Sequence, residues 1–296
     1  LDKNHCVAIP TETVYGLAGN AYSDKASLKI FKLKKRPKFN PLIVHYFKLQ
    51  DLIVDCEINT NFKKLYTKFC PGPLTFVLKL KKTSKISKHV TNGKNTLAVR
   101  FPKHSITRKL LKSLNYPLAA PSANIYTRIS PVSKIDVKDE FGKKIKFILD
   151  GGTSKIGLES TIISLVNKPR ILRLGGFEIS KINKVLKTKL KYSEKKNKIQ
   201  VPGQLRFHYS PGIPIRLNVK KPLSDEAFIL IQKRKNFDKK YFYLTKNNNL
   251  NEAGKNLYKT LRKIKNLKFK KIAVEKIPNY GLGLTINDRL KRASKR

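Results

Sequence analysis

The chain has 296 residues, and 65 Lys plus Arg against 19 Asp plus Glu leave a formal charge of +46. With 40% hydrophobic residues it can bury a core over about two domains of ~150 residues each, so wholesale disorder is not expected. It holds no run of 18 apolar residues, and residues 1–5 lack the apolar core of a signal peptide, so the reading is a soluble, cytoplasmic protein with no membrane span. Cys6, Cys56 and Cys70 lack the close pairing of a zinc knuckle or a disulfide framework and read as reduced, packed thiols. Such a charge draws polyanions: nucleic acid, nucleotides, anionic membrane surfaces or an acidic partner protein. With 52 Lys against 13 Arg, it equally fits a lysine-rich composition that paints every exposed face. Met is absent and position 1 is Leu, so the expectation is an unusual start codon or a missing true N-terminus.

In chain order, residues 6–10 and 42–45 read as buried strands with a helix between them. Ser23 or Asp24 caps that helix, Ala26, Leu28, Ile30, Phe31 and Leu33 supply its apolar positions, and Pro37 stops it. Strands follow at 74–81 and 97–101, a helix at 105–114, and strands at 118–120, 147–149, 161–166 and 171–174. This alternation predicts an α/β domain. Residues 181–198 then carry eight Lys and a single acid, Glu194, before a Pro/Gly-rich stretch reaching Pro214. We place a catalytic domain over 1–183, a basic linker over 184–214 and a small α/β domain over 215–296. The last has strands at 227–231, 241–244 and 272–274 and helices at 252–264 and 284–293.

Several nucleotide and hydrolase signatures are missing. There is no G-x-x-x-x-G-K-[ST], Gly281-Leu-Gly283 lacks the third Gly of a dinucleotide fingerprint, and neither H-E-x-x-H nor G-x-S-x-G occurs. Other strings carry more. Pro10-Thr-Glu-Thr-Val-Tyr-Gly-Leu17 puts two hydroxyls, a carboxylate and a phenol at a strand end, where an open sheet exposes ligand-binding groups; it also reads as a hydroxyl-capped turn. Lys34-Lys-Arg36-Pro37 holds cations on a stiffened turn, the pairing of point charge and planar fork suited to a triphosphate, or a solvated basic face. Arg100 ends an apolar strand and needs an anionic partner, either an internal acid or a substrate carboxylate. Gly-rich loops at 150–157 and 173–176 let backbone N–H groups approach an anion.

Taken together and in order, Pro10-Thr-Glu-Thr-Val-Tyr-Gly-Leu17, the Lys34-x-Arg36-Pro37 turn with Asn40-Pro-Leu-Ile-Val-His45, Pro71-Gly-Pro-Leu-Thr75, Pro121-Ser-Ala-Asn124 and Glu159-Ser-Thr161 resemble the YrdC family. The match covers nearly all of the first domain. Phe207-His-Tyr-Ser-Pro211 and Gly281-Leu-Gly-Leu-Thr-Ile-Asn-Asp-Arg289 look like its longer, two-domain form. The resemblance implies a YrdC-like twisted open sheet with helices, joined to a smaller Rossmann-like α/β domain. It also implies a nucleotidyltransferase of tRNA modification: L-threonine and bicarbonate form a threonylcarbamate, whose carboxylate attacks the α-phosphate of ATP and releases pyrophosphate. The adenylate would pass to tRNA-modifying threonylcarbamoyl transferase proteins.

Carried over residue by residue, the resemblance gives Thr13, His45, Arg100 and Ser160 to threonine. It gives Lys34, Arg36, Asn40, Thr96, Ser122, Asn124, Ser130, Arg173 and Tyr209 to ATP, with Lys34, Arg36, Ser122 and Asn124 nearest the chemistry. Magnesium would arrive on the ATP phosphates, not in a protein cage. Adenylation needs positioning and charge neutralisation more than proton transfer, which suits a cation-rich site. Arg100 is expected to pair with a carboxylate of threonine or its carbamate, since its strand offers no obvious acid. Tyr209 is expected to lie against the ATP site in a linker that acts as a lid. Two departures bear on stability more than on chemistry: Lys35 stands where the family has Gly, and an N-terminal helix of the family is absent before Leu1. The rival reading is a non-catalytic RNA-binding module of ribosome or tRNA maturation, with direct RNA binding by the basic surface. Such a surface needs cations but has no use for a threonine-sized polar pocket, and aromatic stacking platforms are sparse near the motifs.

Overall fold

The computed structural model describes residues 1–190, 192, 201–203, 208–234 and 238–295. The first unit runs β1 (Val7–Ile9), β2 (Gly16–Asn20), α1 (Asp24–Lys34), β3 (Ile43–His45), α2 (Leu49–Ile53), α3 (Thr60–Phe69), β4 (Leu74–Lys79), α4 (Lys88–Thr91) and β5 (Thr96–Arg100). It continues through α5 (Ser105–Lys112), β6 (Leu118–Ala119), α6 (Lys134–Phe141), β7 (Phe147–Ile148), β8 (Thr161–Ser164), β9 (Arg170–Arg173) and α7 (Ile179–Leu186). Among the described residues these strands form one mixed nine-stranded sheet, in the order β7-β1-β2-β6-β3-β5-β4-β8-β9. The second unit holds β10 (Ile215–Arg216), β11 (Glu226–Gln232), β12 (Tyr241–Thr245), α8 (Leu250–Asn266), β13 (Lys271–Val274) and α9 (Gly283–Ala293). Its strands pair in parallel as β10-β13-β11-β12. The predicted fold class is therefore observed: a large mixed α/β sheet and a smaller Rossmann-like α/β unit.

Local chemistry accounts for the elements. The Ser23 side chain accepts from Ala26 N at 3.2 Å, capping α1, whose Ala26, Ile30 and Phe31 are buried. At its other end Lys35 N donates to Lys32 O and Arg36 N to Phe31 O, a pair of bonds that closes the helix with Lys35 in the left-handed region at φ 50°. This closure turns the chain so that Arg36 leaves the helix toward the sheet. Elements absent from the sequence reading are β2, β10 and the helices α2, α3, α4, α6 and α7. β2 reads Gly-Leu-Ala-Gly-Asn, poor in β-branched residues, and is held as a strand by pairing with β1 and β6. α3 buries only Phe62 and Leu65, on a surface otherwise rich in Lys.

The expected linker start at residue 184 falls inside α7, whose Ile182 is buried in the first unit's core. Leu190 and Tyr192 pack on that same core, and Val201 packs against Ile43, Val77, Ala98, Ile162 and Leu172. Leu190, Tyr192 and Val201 of this segment therefore lie on the first unit, while Tyr209 and Ile213 join the cluster that packs against the second. The two units also share a core: Val14, Ile129, Val132 and Leu158 cluster with Leu257, Leu261, Ile286 and Leu290 from α8 and α9. Gly254 permits this approach, since a Cβ there would stand 2.9 Å from Leu158 Cδ1. Among the described residues no helix is long and apolar enough to cross a membrane.

A side chain in the left-handed region costs about 1 kcal/mol or more relative to glycine. Lys35→Gly is therefore expected to raise the stability of the full chain by roughly 1 kcal/mol in urea or thermal melts. An unchanged or lower midpoint would show that the α1 turn is unstrained.

Candidate active site

Sheet register assembles the first part of the site. β3 and β5 are parallel with His45 opposite Arg100, and β4 runs antiparallel to β5 with Thr75 opposite Arg100. Side chains directly across neighbouring strands share a face, so His45, Arg100 and Thr75 form a row at the carboxyl ends of β3 and β5. Thr75 Oγ1 lies 2.7 Å from Ser160 Oγ, which extends the row to the loop entering β8. The loop after β1 folds over it, with Thr11 Oγ1 at 2.8 Å from Thr13 Oγ1. Thr13, His45, Arg100 and Ser160 thus meet on one side of a cleft.

Arg100 has an internal acid, one of the two partners the sequence allows it. Its Nη2 donates to Glu12 Oε1 at 2.7 Å and its Nη1 to Thr13 Oγ1 at 2.8 Å, while Glu12 Oε2 accepts from Lys103 N. The internal acid that the strand itself lacks comes from the loop after β1, so Arg100 is paired before any substrate carboxylate arrives. A guanidinium has five N–H donors, and these contacts with a long bond to Gly72 O use three. Among the described residues two donors remain for a ligand.

The other side of the cleft is cationic. Arg36 is braced by its Nε to Asn40 O at 3.0 Å and its Nη2 to Pro41 O at 2.9 Å. Arg173 clasps Ser160 through its carbonyl at 2.8 Å and its Oγ at 3.1 Å, so a residue assigned to ATP also fixes one assigned to threonine. Ser122 lines the cleft with them. Lys34 stands behind, donating to Ser122 O and, at 2.7 Å, to Asn124 O. Asn40, Thr96, Asn124 and Ser130 do not line the cleft. Thr96 opens β5, at the far end of the strand from Arg100. Asn124 Nδ2 holds Ile125 O and Arg128 O, and Ser130 Oγ donates to Glu159 at 2.6 Å. These last residues shape the loop instead of facing the cavity.

The segment expected as a lid closes one wall. Pro202, Gly203, His208 and Tyr209 line the cleft, and Arg173 Nη1 donates to Pro202 O. A Cβ at Gly203 would lie 2.7 Å from Tyr209 Oη, so only glycine lets the two parts of the segment meet. Tyr209 is 1% exposed and sits at φ 65°, a conformation rare for a bulky residue and held here by packing on every side. Tyr209 Oη and His208 Nδ1 are buried with no hydrogen-bond partner among the described residues. Arg206 and Phe207 lie outside the described residues. Glu12, Glu159 and His208 stand inside the sequence motifs without an expected partner, and Gly203 carries no expectation at all; the motifs themselves are the signal that marks the two acids.

Electrostatics follow from seclusion. Burial, and then the charge of Arg100, lower the His45 imidazole to about 3, so it is neutral at physiological pH. Burial and the neighbouring Arg36 push Lys34 well below its ordinary value. Burial alone would raise Glu159, but Arg289, then Arg173, and the Ser130 hydrogen bond outweigh it and hold the carboxyl below its usual range. The cleft can therefore seat a polyanion beside a small polar ligand that carries its own carboxylate.

The His45 value sets a pH dependence. Unfolded imidazole titrates near 6.5 and the folded one at about 3, so between these limits the unfolded state binds the proton first and stability falls as pH falls. His45→Gln should narrow the drop in melting temperature between pH 7 and pH 4. An undiminished drop would mean that His45 is not held neutral by its surroundings.

Known proteins resemble the chain over both units. A family described as "Telomere recombination" matches residues 1–175, and one described as "Threonylcarbamoyl-AMP synthase, C-terminal domain" matches residues 177–295. A threonylcarbamoyl-AMP synthase of Pyrococcus abyssi is 36% identical over 97% of this chain and 90% of its own length. One of Bacillus subtilis is 33% identical over 99% and 90%. The crystal structure of P. abyssi Sua5 complexed with L-threonine superposes with a TM-score of 0.89 at 35% identity, covering 99% of this chain and 91% of that one.

Proposed function

Because the chain belongs to the Sua5–YciO–YrdC family in its two-domain form, we propose that it is a threonylcarbamoyl-AMP synthase. L-Threonine, bicarbonate and ATP yield threonylcarbamoyl-AMP, pyrophosphate and the water lost when the amine and bicarbonate condense to the carbamate, and the adenylate is then used by tRNA-modifying threonylcarbamoyl transferase proteins. The observation that carries the reading is the union in one cleft of the His45–Arg100–Ser160 row with Arg36 and Arg173. Threonine takes Thr13, His45 and Ser160, and its carboxylate uses the two free donors of Arg100. A neutral His45 hydrogen-bonds without adding charge. The triphosphate lies toward Arg36 and Arg173, with Ser122 beside it and Lys34, Asn40, Asn124 and Ser130 shaping the turns that hold it. Thr96 would bear on ATP only indirectly, from the other end of β5.

In the reaction a carbamate oxygen bonds to the α-phosphorus while the bond from that phosphorus to the β-bridging oxygen breaks. Charge grows on both phosphate groups, and fixed cations in a secluded cleft stabilise it without reorganising. Tyr209 and Gly203 exclude water from one wall, the part expected of a lid. Magnesium fits as an ion carried by the phosphates: Glu159, which lines the cleft, and Glu12, beside Arg100, are both engaged by arginine. Among the described residues no cluster of three His, Cys, Asp or Glu side chains is arranged to hold a metal.

Pyrophosphate release from ATP should require both L-threonine and bicarbonate, with L-serine a poorer substrate. One methyl group in an apolar niche is worth about 1 kcal/mol, so serine should lose several-fold, not orders of magnitude. Equal release with either co-substrate omitted would refute the assignment and return the RNA-binding module to the front.

A further inference from the structure

One buried charge cluster lies behind the cleft and joins the two units. Arg289 of α9 is 1% exposed, and none of the ligand assignments above uses it. Its Nε donates to Glu159 Oε2 at 2.9 Å, its Nη2 to Leu174 O at 2.7 Å, and its Nη1 to the neighbouring Asp288 carboxylate. Its guanidinium carbon stands 4.5 Å from the centre of the Tyr209 ring. Tyr258 of α8 reinforces the arrangement: its hydroxyl reaches both Glu159 oxygens at 3.0 Å, and its ring stacks on Tyr209 with centroids 5.9 Å apart.

The positions of these contacts matter more than their number. Glu159 immediately precedes Ser160, Leu174 immediately follows Arg173, and Tyr209 is the wall of the cleft. A single side chain of the second unit thus grips two points of the site in the first and a third, Tyr209, in the segment between the units. Docking alone would not call for this, because a buried ion pair is often no more stabilising than apolar residues of similar volume, and the interface already has an apolar core. What a planar fork adds is fixed geometry.

We propose that Arg289 is a positioning residue through which the second unit completes the active site, holding Ser160, Arg173 and Tyr209 in register for threonine and ATP. This rests on the proposed synthase reading for its substrates. Asp288 fixes the guanidinium in turn, and Arg292 pairs with Asp288 from the next turn of α9 at 2.9 Å. The role of the second unit is then structural completion of the cleft.

The test compares the full chain with Arg289→Lys and Tyr258→Phe. Arg289→Lys keeps a cation but loses the fork; Tyr258→Phe keeps the stacked ring but loses the bond to Glu159. Melting temperature, KM for ATP and L-threonine, kcat, and calorimetric affinity for each ligand are measured. Arg289→Lys should weaken ATP and threonine binding by about tenfold, whatever fall in melting temperature accompanies it, and Tyr258→Phe should weaken them by about threefold. If Arg289→Lys does not fold, Tyr258→Phe decides alone. Unchanged KM and affinity, with a lower melting temperature as the whole effect, would overturn the proposal and leave Arg289 as a docking residue. Failure of the unaltered chain to release pyrophosphate would count against the reaction; the calorimetric comparison would still decide the role of Arg289.

Discussion

Positive charge confined in a poorly hydrated cleft is the constraint on which the rest of the structure depends. Arg36, Arg100 and Arg173 line the cavity with Lys34 directly behind it, and each would repel the others in an interior that screens little. Two buried carboxylates make the arrangement tolerable, Glu12 against Arg100 and Glu159 between Arg173 and Arg289. Carbonyl oxygens absorb most of the remaining donors: Ser122 and Asn124 take Lys34, Asn40 and Pro41 take Arg36, and Ser160 takes Arg173. Some capacity is left over, and a polyanion is the natural guest for it.

The fold exists around that arrangement. The left-handed residue at the end of α1 directs Arg36 inward, the alignment of β3, β4 and β5 brings His45, Arg100 and Thr75 side by side, and the folded-back segment near Tyr209 covers the wall next to Arg173. Helices α8 and α9 supply the outer bracing. Charge neutralisation in the floor of the cleft is thereby shared between residues far apart in the chain.

Legibility in the sequence tracked the range of the interactions. The alternation of short apolar runs with amphipathic stretches, the cap at Ser23 and the stop at Pro37 were local signals, and α1 and most strands of both sheets follow them. β2 was hidden because its two glycines and single alanine acquire strand character only from neighbours on both sides. The α7 boundary was hidden because a run of lysines masks the single buried Ile182. Site residues such as Arg36, His45 and Ser160 stood out through ordered motifs. Their partners did not: Glu12 and Arg100 are 88 residues apart, and Glu159 and Arg289 are 130 apart. No local pattern encodes such pairings, so the sequence leaves open whether Arg100 faces an internal acid, and only the fold brings Glu12 to it.

The pairing of β3 with β5 has one more consequence. Pleated strands alternate their side chains between faces, so a single inserted or deleted residue within either strand would turn His45 or Arg100 to the opposite side of the sheet. The same change in the loops that follow would shift only chain length. Length variation compatible with function is therefore confined to the connections, and the short strands bordering the cleft are fixed in residue count as well as in residue type.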